Sequence, residues 1–368
     1  MINKKKICIV LPTHYAAFMG GAQYQAKCIL EGLLATGNYE IHYLARRIDP
    51  DFKPEGYQIH RISDDSGLRR FGFFVDTFKL LNLLKQIKPD VIYQRIACAY
   101  TGITAYYAKQ SGCKMIWHVA HVNDVTPGKH TVSLNPISEF IDKRYVEYGL
   151  KNASYIVTQT EEQSELLHRH YGKFADKIIS NLHPTPTETI QKSEPVTVAW
   201  IANFKPWKQP EAFIRLARDL KSESNAQFIM IGALQGGDRE WRESLINEID
   251  ELDNLEYLGR KEQNEVNEIL ARSHIFVNTS LHEGFANTFI QAWMREIPVV
   301  SLHVNPDNIF DRYEVGYFAG NYENMLEHVK HLILNIKRRN KLGSNAKKYA
   351  LKYHSFENIS HLVELIDS

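Results

Sequence analysis

Short apolar runs alternate along the chain with longer stretches whose apolar residues recur at helical spacing. ICIVL (7–11), IHYLA (41–45), VIYQR (91–95), MIWHVA (115–120) and YIVTQT (155–160) have the length and β-branched content of strands buried in a parallel sheet. Between them, GAQYQAKCILEGLLATG and FVDTFKLLNLLKQIKPD read as helices, with Gly37 and Pro89 as stops. This βαβ alternation predicts a doubly wound α/β sheet.

The alternation pauses at NLHPTPTETIQKSEP (181–195), a stretch rich in Pro, Thr and charge without periodicity, which reads as a linker. It restarts with VTVAWIA (196–202), AQFIMIGA (226–233), LEYLG (255–259), HIFVNTS (274–280) and IPVVSLH (297–303). The expected organisation is one Rossmann-like domain over 1–185 and another over 186–350, with a final helix, 351–368, crossing back to the first. Ligands of open α/β sheets bind beyond the carboxyl ends of the strands, so the expected site is a cleft between two facing sheets.

A chain of 368 residues is long for one core, which agrees with two domains. Its 44 Lys and Arg balance 43 Asp and Glu, so no electrostatic footprint for nucleic acid exists and a small or neutral partner is expected. Cys8, Cys28, Cys98 and Cys113 form no CxxC pair and read as reduced, mostly buried thiols of a cytoplasmic protein. The basic start MINKKK precedes an apolar run too short for a signal peptide. No run of apolar residues is long enough to span a bilayer, so any membrane contact is expected to be peripheral.

One stretch concentrates the candidate chemistry. HIFVNTS ends a strand, LHEGF turns, and ANTFIQAWMR begins a helix, whose first amides form an anion site with the positive end of its dipole. Gly284 lets the backbone approach a ligand without a Cβ between them. Glu283 is unsuited to bind phosphate but suited to accept hydrogen bonds from hydroxyls. A phosphate joined to a sugar meets both requirements.

HEGFANTFIQAWMREIPVV, with the two Rossmann-like halves, resembles the retaining GT-B-fold glycosyltransferases of group 1 (glycosyltransferase family 4). GGAQYQAKCILEGLLATG resembles the family's Gly-Gly loop and its helix, PDVIYQR one of its strands, and VAWIANFKPWKQPEAFIRLA the start of its donor domain. The resemblance implies an acceptor-binding first domain and a second domain that binds a nucleotide-diphosphate sugar. It assigns Lys208, helped by Lys205, to the donor diphosphate, and main-chain amides of Gly284, Phe285, Ala286 and Asn287 to the same anion. Three positions depart from the pattern. Gln291 replaces a ribose-holding Glu, Asn203 replaces an Arg, and Glu296 replaces a Gly, the last without a clear chemical consequence in the sequence.

Other positions are weaker candidates. Gly20 and Gly21 lack the GxGxxG spacing of a dinucleotide site; the resemblance places them beside donor phosphates and acceptor, with His14 lining the same mouth. His118 and His121 end a strand, and the family's histidine facing the reacting sugar fits His121 better, leaving His118 on the acceptor side. Arg260 is a candidate nucleotide contact, with a solvated arginine as the plainer reading. No carboxylate or cysteine stands at ligand spacing from these histidines, so neither a metal nor a cofactor is expected. LRRFGFFVDTFKLLNLLKQIK (68–88), with Arg69, Arg70, Lys79, Lys85 and Lys88, reads as a helix packed on the sheet, and alternatively as an interfacial helix on an anionic leaflet.

The resemblance thus implies a retaining, hexosyltransferase-like enzyme acting on a glycan or lipid-linked acceptor in polysaccharide or glycoconjugate synthesis, with Glu283, Lys208 and His121 as catalytic residues. Helix amides and Lys208 would stabilise the departing diphosphate, and domain closure would exclude water. Two alternatives stay open: a catalytically weak nucleotide- or glycan-binding protein, for which Gln291 and Asn203 speak, and a nucleotide-sugar epimerase.

Overall fold

The computed structural model describes residues 4–63, 72–128, 136–187, 192–222 and 225–368. The first sheet contains β1 (Lys5–Val10), β2 (Tyr39–Ala45), β3 (Gln58–Arg61), β4 (Val91–Arg95), β5 (Lys114–His118), β6 (Tyr155–Thr158) and β7 (Lys177–Ile178). Its order is β3-β2-β1-β4-β5-β6-β7, and every pairing is parallel. The second contains β8 (Val196–Ile201), β9 (Ala226–Ile231), β10 (Leu255–Tyr257), β11 (Ile275–Asn278), β12 (Val299–Ser301) and β13 (Gly316–Phe318). It is parallel throughout in the order β10-β9-β8-β11-β12-β13.

Helices cover both faces of each sheet, which explains why the strands are apolar at successive positions rather than alternate ones. In the second sheet one face packs Trp200, Phe213 and Phe228, and the other packs Phe276, Phe289 and Trp293. The predicted doubly wound architecture is present twice. Helix stops follow their local chemistry: Gly37 takes the left-handed conformation (φ 68°) after the helix Gly21–Thr36, and its N–H reaches Leu34 O.

The chain divides into two compact units, Met1–Pro184 with Phe356–Ser368, and Thr185–Ser355. The helix Ile336–His354 belongs wholly to the second unit, which moves the expected break at 350 to Ser355. The reason is packing: the His354 ring lies 4.8 Å from that of Phe285. The helix Ser360–Asp367 then buries Leu362 and Ile366 in the core of the first unit, where Lys5 pairs with Asp367 at 2.9 Å.

Arg69 and Arg70 lie outside the described residues. From Thr77 to Ile87 the expected segment is a helix with Leu80, Leu84 and Ile87 buried. No helix among the described residues is long and apolar enough to cross a membrane.

Candidate functional site

In the second sheet the strand order reverses between β8 and β11, so the connections leaving their carboxyl ends diverge and open a crevice at the switch point. β8 continues into a loop ending in one turn of 3-10 helix, Pro206–Lys208, and Gln209 (φ 47°) then turns the chain into the helix Pro210–Asp219. β11 continues through Thr279–Ala286 into the short helix Asn287–Trp293. These two connections carry Lys208 and Glu283.

The Lys208 ammonium pairs with Glu283 Oε1, and both side chains are mostly shielded, at 15% and 14% exposure. Ser280 Oγ donates to the same carboxylate oxygen at 2.9 Å and accepts from Asn278 Nδ2 at 3.2 Å. On the other side the Lys208 ammonium lies 4.1 Å from the Trp207 ring centroid, a cation–π contact. Thr279 Oγ1 donates to Lys208 O at 2.6 Å and accepts from Trp200 Nε1 at 2.9 Å, while Leu281 N donates to Trp207 O at 2.9 Å. Five hydrogen bonds and one ion pair therefore fix two side chains that are 75 residues apart in sequence.

The Lys208–Glu283 pair is internally neutral, so neither charge stands uncompensated in a partly desolvated place. An anion can compete with Glu283 for such an ammonium, and a carboxylate released in that way can accept hydroxyls. The arrangement suits a ligand that is anionic at one end and hydroxylated at the other.

Comparison with known proteins agrees with this geometry. Residues 186–349 match the family model "Glycosyl transferases group 1", and residues 19–181 match "Glycosyltransferase Family 4". The chain belongs to the group 1, family 4 glycosyltransferases. It is 23% identical over 277 residues to an uncharacterized glycosyltransferase of Methanocaldococcus jannaschii, covering 66% of this chain and 65% of that protein. Its fold is GT-B. A Rickettsia africae glycosyltransferase superposes with a TM-score of 0.76 at 15% identity, over 99% of this chain and 98% of the other. Anabaena HepE, solved with UDP and glucose, gives 0.73 at 14% identity over 99% of each chain.

Within this family member's second unit, the remaining expected residues separate into two groups. Lys205 precedes the 3-10 turn without a side-chain capping bond, with its ammonium 6.0 Å from the Trp207 ring. Asn203 Oδ1 accepts from Ala233 N at 3.3 Å, holding β8's loop to β9's, and so serves the scaffold where the family has a cation. Gln291 is buried, at 4% exposure, on the helix Asn287–Trp293. Phe285 and Ala286 were expected to act through main-chain amides. Their side chains belong to the core, Phe285 against His354 and Trp293, so only their main chain is suited to meet a ligand. Gly284 is buried beside them and Asn287 begins the helix. Arg260, 66% exposed and 3.9 Å from Glu262, takes the plainer reading of a solvated arginine.

Glu296, the unexplained departure, occupies the turn after the helix Asn287–Trp293 with φ 57°, a conformation that favours glycine. Its carboxylate pairs with Lys347 at 2.7 Å.

In the first unit, His14 does not line a mouth: it is fully buried among Tyr15, Tyr43, Phe52 and Tyr57. Nδ1 accepts from Ala16 N at 3.2 Å, so the neutral ring donates from Nε2 to Tyr57 OH at 3.1 Å, and burial lowers its pKa to about 4. His118 is likewise withdrawn from an acceptor role. It is 1% exposed, its Nδ1 accepts from Arg95 Nη1 at 3.1 Å, and its Nε2 meets Ile179 O at 3.2 Å. Burial, then the adjacent guanidinium, holds its pKa well below the ordinary range. His121 is half-buried at the head of a short 3-10 turn; its Nδ1 accepts from Asn123 N at 3.0 Å, which puts the proton of the neutral ring on Nε2. Gly20 and Gly21 begin the helix Gly21–Thr36, and a Cβ on Gly20 would stand 2.7 Å from Gln23 Oε1.

Sequence reasoning missed Trp207, Thr279 and Ser280. Trp207 was marked only by its place beside Lys208, and the two hydroxyls by following a strand end. Among the described residues no group of three His, Cys, Asp or Glu side chains is arranged to hold a metal ion.

Proposed function

We propose that this protein is a retaining, metal-independent glycosyltransferase that moves a hexose-like sugar from a nucleotide-diphosphate sugar to a glycan or lipid-linked acceptor. Its place would be the cytoplasm or the inner face of a membrane, in the building of surface polysaccharide or glycoconjugate. The observation that carries this reading is the Lys208–Glu283 pair at the switch point of the second sheet. Binding of UDP by HepE, which has the same fold, supports a nucleotide ligand.

In the proposed reaction the diphosphate takes the Lys208 ammonium from Glu283. Main-chain amides from Gly284 to Asn287 face the same anion, and the freed carboxylate accepts hydroxyls of the sugar. As the glycosidic bond breaks, charge grows on the leaving diphosphate. Lys208, held over Trp207, offsets that charge without a metal ion. The leaving phosphate receives the acceptor's proton as the new bond forms on the same face, which retains configuration. His121, with its proton on Nε2, is suited to donate to the reacting sugar.

A second reading, a nucleotide-binding protein with weak catalysis, draws on the engagement of Asn203 with Ala233. One experiment separates them. Nucleotide sugars are incubated with acceptor extracts in the presence of EDTA, nucleoside diphosphate release is measured, and the anomeric configuration of the product is read by NMR. Metal-independent release with retention is expected; a metal requirement, an inverted product, or nucleotide binding without release would overturn the corresponding part.

A further inference from the structure

His121, Val122, Asn123 and Asp124 have the spacing of a capping box, an acceptor at the cap and an acid three residues on, with an imidazole where a hydroxyl usually stands. The structure closes that box around the 3-10 turn Val122–Val125. His121 Nδ1 accepts from Asn123 N at 3.0 Å, and Asp124 Oδ2 reaches back to accept from His121 N at 3.1 Å. Val125, buried in the core with Trp117 and Val146, anchors the far end. The turn is thus fastened at both ends, and the orientation of the His121 ring with it.

Asp124 does more than close the turn. Its Oδ2 also accepts from Ala120 N at 2.7 Å, and its Oδ1 from Ala97 N at 3.3 Å. Ala97 belongs to the connection leaving β4, beside the point where the first sheet reverses its strand order between β1 and β4, and Ala120 and His121 belong to the connection leaving β5. One carboxylate, 6% exposed, therefore ties together two loops beyond the carboxyl ends of neighbouring strands, where ligands of such sheets bind. Ile96, just before Ala97, holds φ 76°, a conformation rare for a β-branched residue, and its main-chain oxygen accepts from Gln94 Nε2 at 2.7 Å. Strain of this kind persists where the surroundings fix it. Burial raises the pKa of Asp124, and the N–H groups of Ala120, Ala97 and His121 oppose the rise. A carboxamide at this position would set its own N–H groups against those of the main chain.

We infer that Asp124 is a positioning residue of the transfer. By closing the turn and fastening it to the β4 connection, it keeps His121 Nδ1 an acceptor and the proton on Nε2, the tautomer in which the ring can donate to the reacting sugar. The ring is then set before the substrate arrives, and no reorganisation is left for the moment of reaction. Asp124 has this purpose only if His121 acts as proposed. A mere cap would stabilise the turn and leave the turnover of folded protein untouched, so substitution separates the two roles.

Nuclear magnetic resonance of protein carrying isotope-labelled histidine tests the holding of the ring without any ligand. At about pH 8.5, where an ordinary imidazole is neutral, the His121 signals, identified by their loss in His121→Ala, are expected to report the Nε2–H tautomer alone. In Asp124→Asn they should move toward an average of the two tautomers. Circular dichroism verifies folding, and Asp124→Ser, smaller and still able to accept one N–H, takes the place of Asp124→Asn if the amide does not fold. Turnover is read as nucleoside diphosphate release from UDP-, GDP-, ADP- and dTDP-glucose with acceptor extract. Asp124→Asn is expected to lower kcat by up to about 100-fold and to leave nucleoside diphosphate affinity unchanged. His121→Ala/Asp124→Asn should be no slower than His121→Ala alone, since the effects of residues acting as one unit do not add. An unchanged tautomer in the folded variant would overturn the holding of the ring. Undiminished kcat, or losses that add in the double variant, would overturn Asp124's part in the transfer. Full activity of His121→Ala would remove His121 from the proposed reaction and Asp124's part in turnover with it, while the tautomer measurement still decides what Asp124 holds.

Discussion

Ser280 Oγ donates at 2.9 Å to the same oxygen of Glu283, Oε1, that receives the Lys208 ammonium. One carboxylate oxygen therefore holds a hydroxyl three residues away and a cation from the 3-10 turn that follows β8. The hydroxyl keeps the carboxylate oriented when a ligand draws the ammonium off. Ser280→Ala is expected to lower kcat about 10-fold with little change in stability, since one hydrogen bond contributes about 1 kcal/mol. Glu283→Ala should abolish transfer and leave the fold intact. Wild-type turnover in Glu283→Ala would remove this carboxylate from the mechanism.

Gln291 tests whether the family's ribose contact operates through an amide here. Charge-assisted hydrogen bonds contribute about 1.5 to 3 kcal/mol against roughly 0.5 to 1.5 for neutral ones. Arg295 Nη1 donates to the main-chain oxygen of Gln291 at 3.0 Å, which places a guanidinium within one helical turn of this position. Gln291→Glu is expected to tighten the free nucleoside diphosphate and the sugar nucleotide alike, by about 1 kcal/mol in calorimetry. A gain for the sugar nucleotide alone would place Gln291 at the sugar instead.

Glu296 holds a left-handed conformation, for which a non-glycine residue incurs about 1 kcal/mol or more. Its ion pair with Lys347 is half exposed on the glutamate side and returns little. Glu296→Gly should therefore raise stability by up to about 1 kcal/mol in urea unfolding. A loss would show that the Lys347 pair outweighs the strain.

Stability should fall on mild acidification. Burial lowers the pKa values of His14 and His274 to about 4 from the ordinary 6.5. The unfolded chain thus takes up protons that the folded chain refuses, and stability drops as pH falls from 6.5 toward 4. Asp142, raised by burial to about 6, works in the opposite direction below that pH. His118, held still lower by burial and by Arg95, and His60 and His328, lowered by burial, act in the same direction as His14 and His274, so the histidines outweigh this carboxyl and a net loss of stability is expected between pH 7 and pH 5. His14→Gln should reduce that loss by about 2 kcal/mol in denaturant titrations at the two pH values.

Ten strands and the doubling of the α/β unit were legible because strands covered on both faces are apolar over several consecutive residues. β3, β7 and β13 were not. β3 is a half-exposed four-residue run, QIHR; β7 has two residues; β13 has three and ends at the exposed Phe318.

The site was legible in part for the same kind of reason. Glu283 and Lys208 sit at fixed offsets after strands, and offset from a strand end is a sequence property. Which way a side chain turns is not. Phe285 lies two residues from Glu283 yet faces the core, and His14, in the loop that follows β1, is enclosed by four aromatic rings, three of them from other parts of the chain. Ser280 and Trp207 touch close sequence neighbours, Glu283 and Lys208, and owe their importance to the pair those two form across 75 residues of sequence, for which no local pattern exists.

The central claim is that Lys208 at this switch point receives the diphosphate of a nucleotide. Isothermal titration of the wild type and Lys208→Met with UDP, GDP, ADP and dTDP, in EDTA, tests it most directly. The account predicts that one of these nucleotides binds the wild type with one-to-one stoichiometry. It also predicts that Lys208→Met, still folded, binds that nucleotide at least about 10-fold more weakly, as loss of a charge-assisted contact implies. Equal affinity of the two proteins for that nucleotide would contradict it.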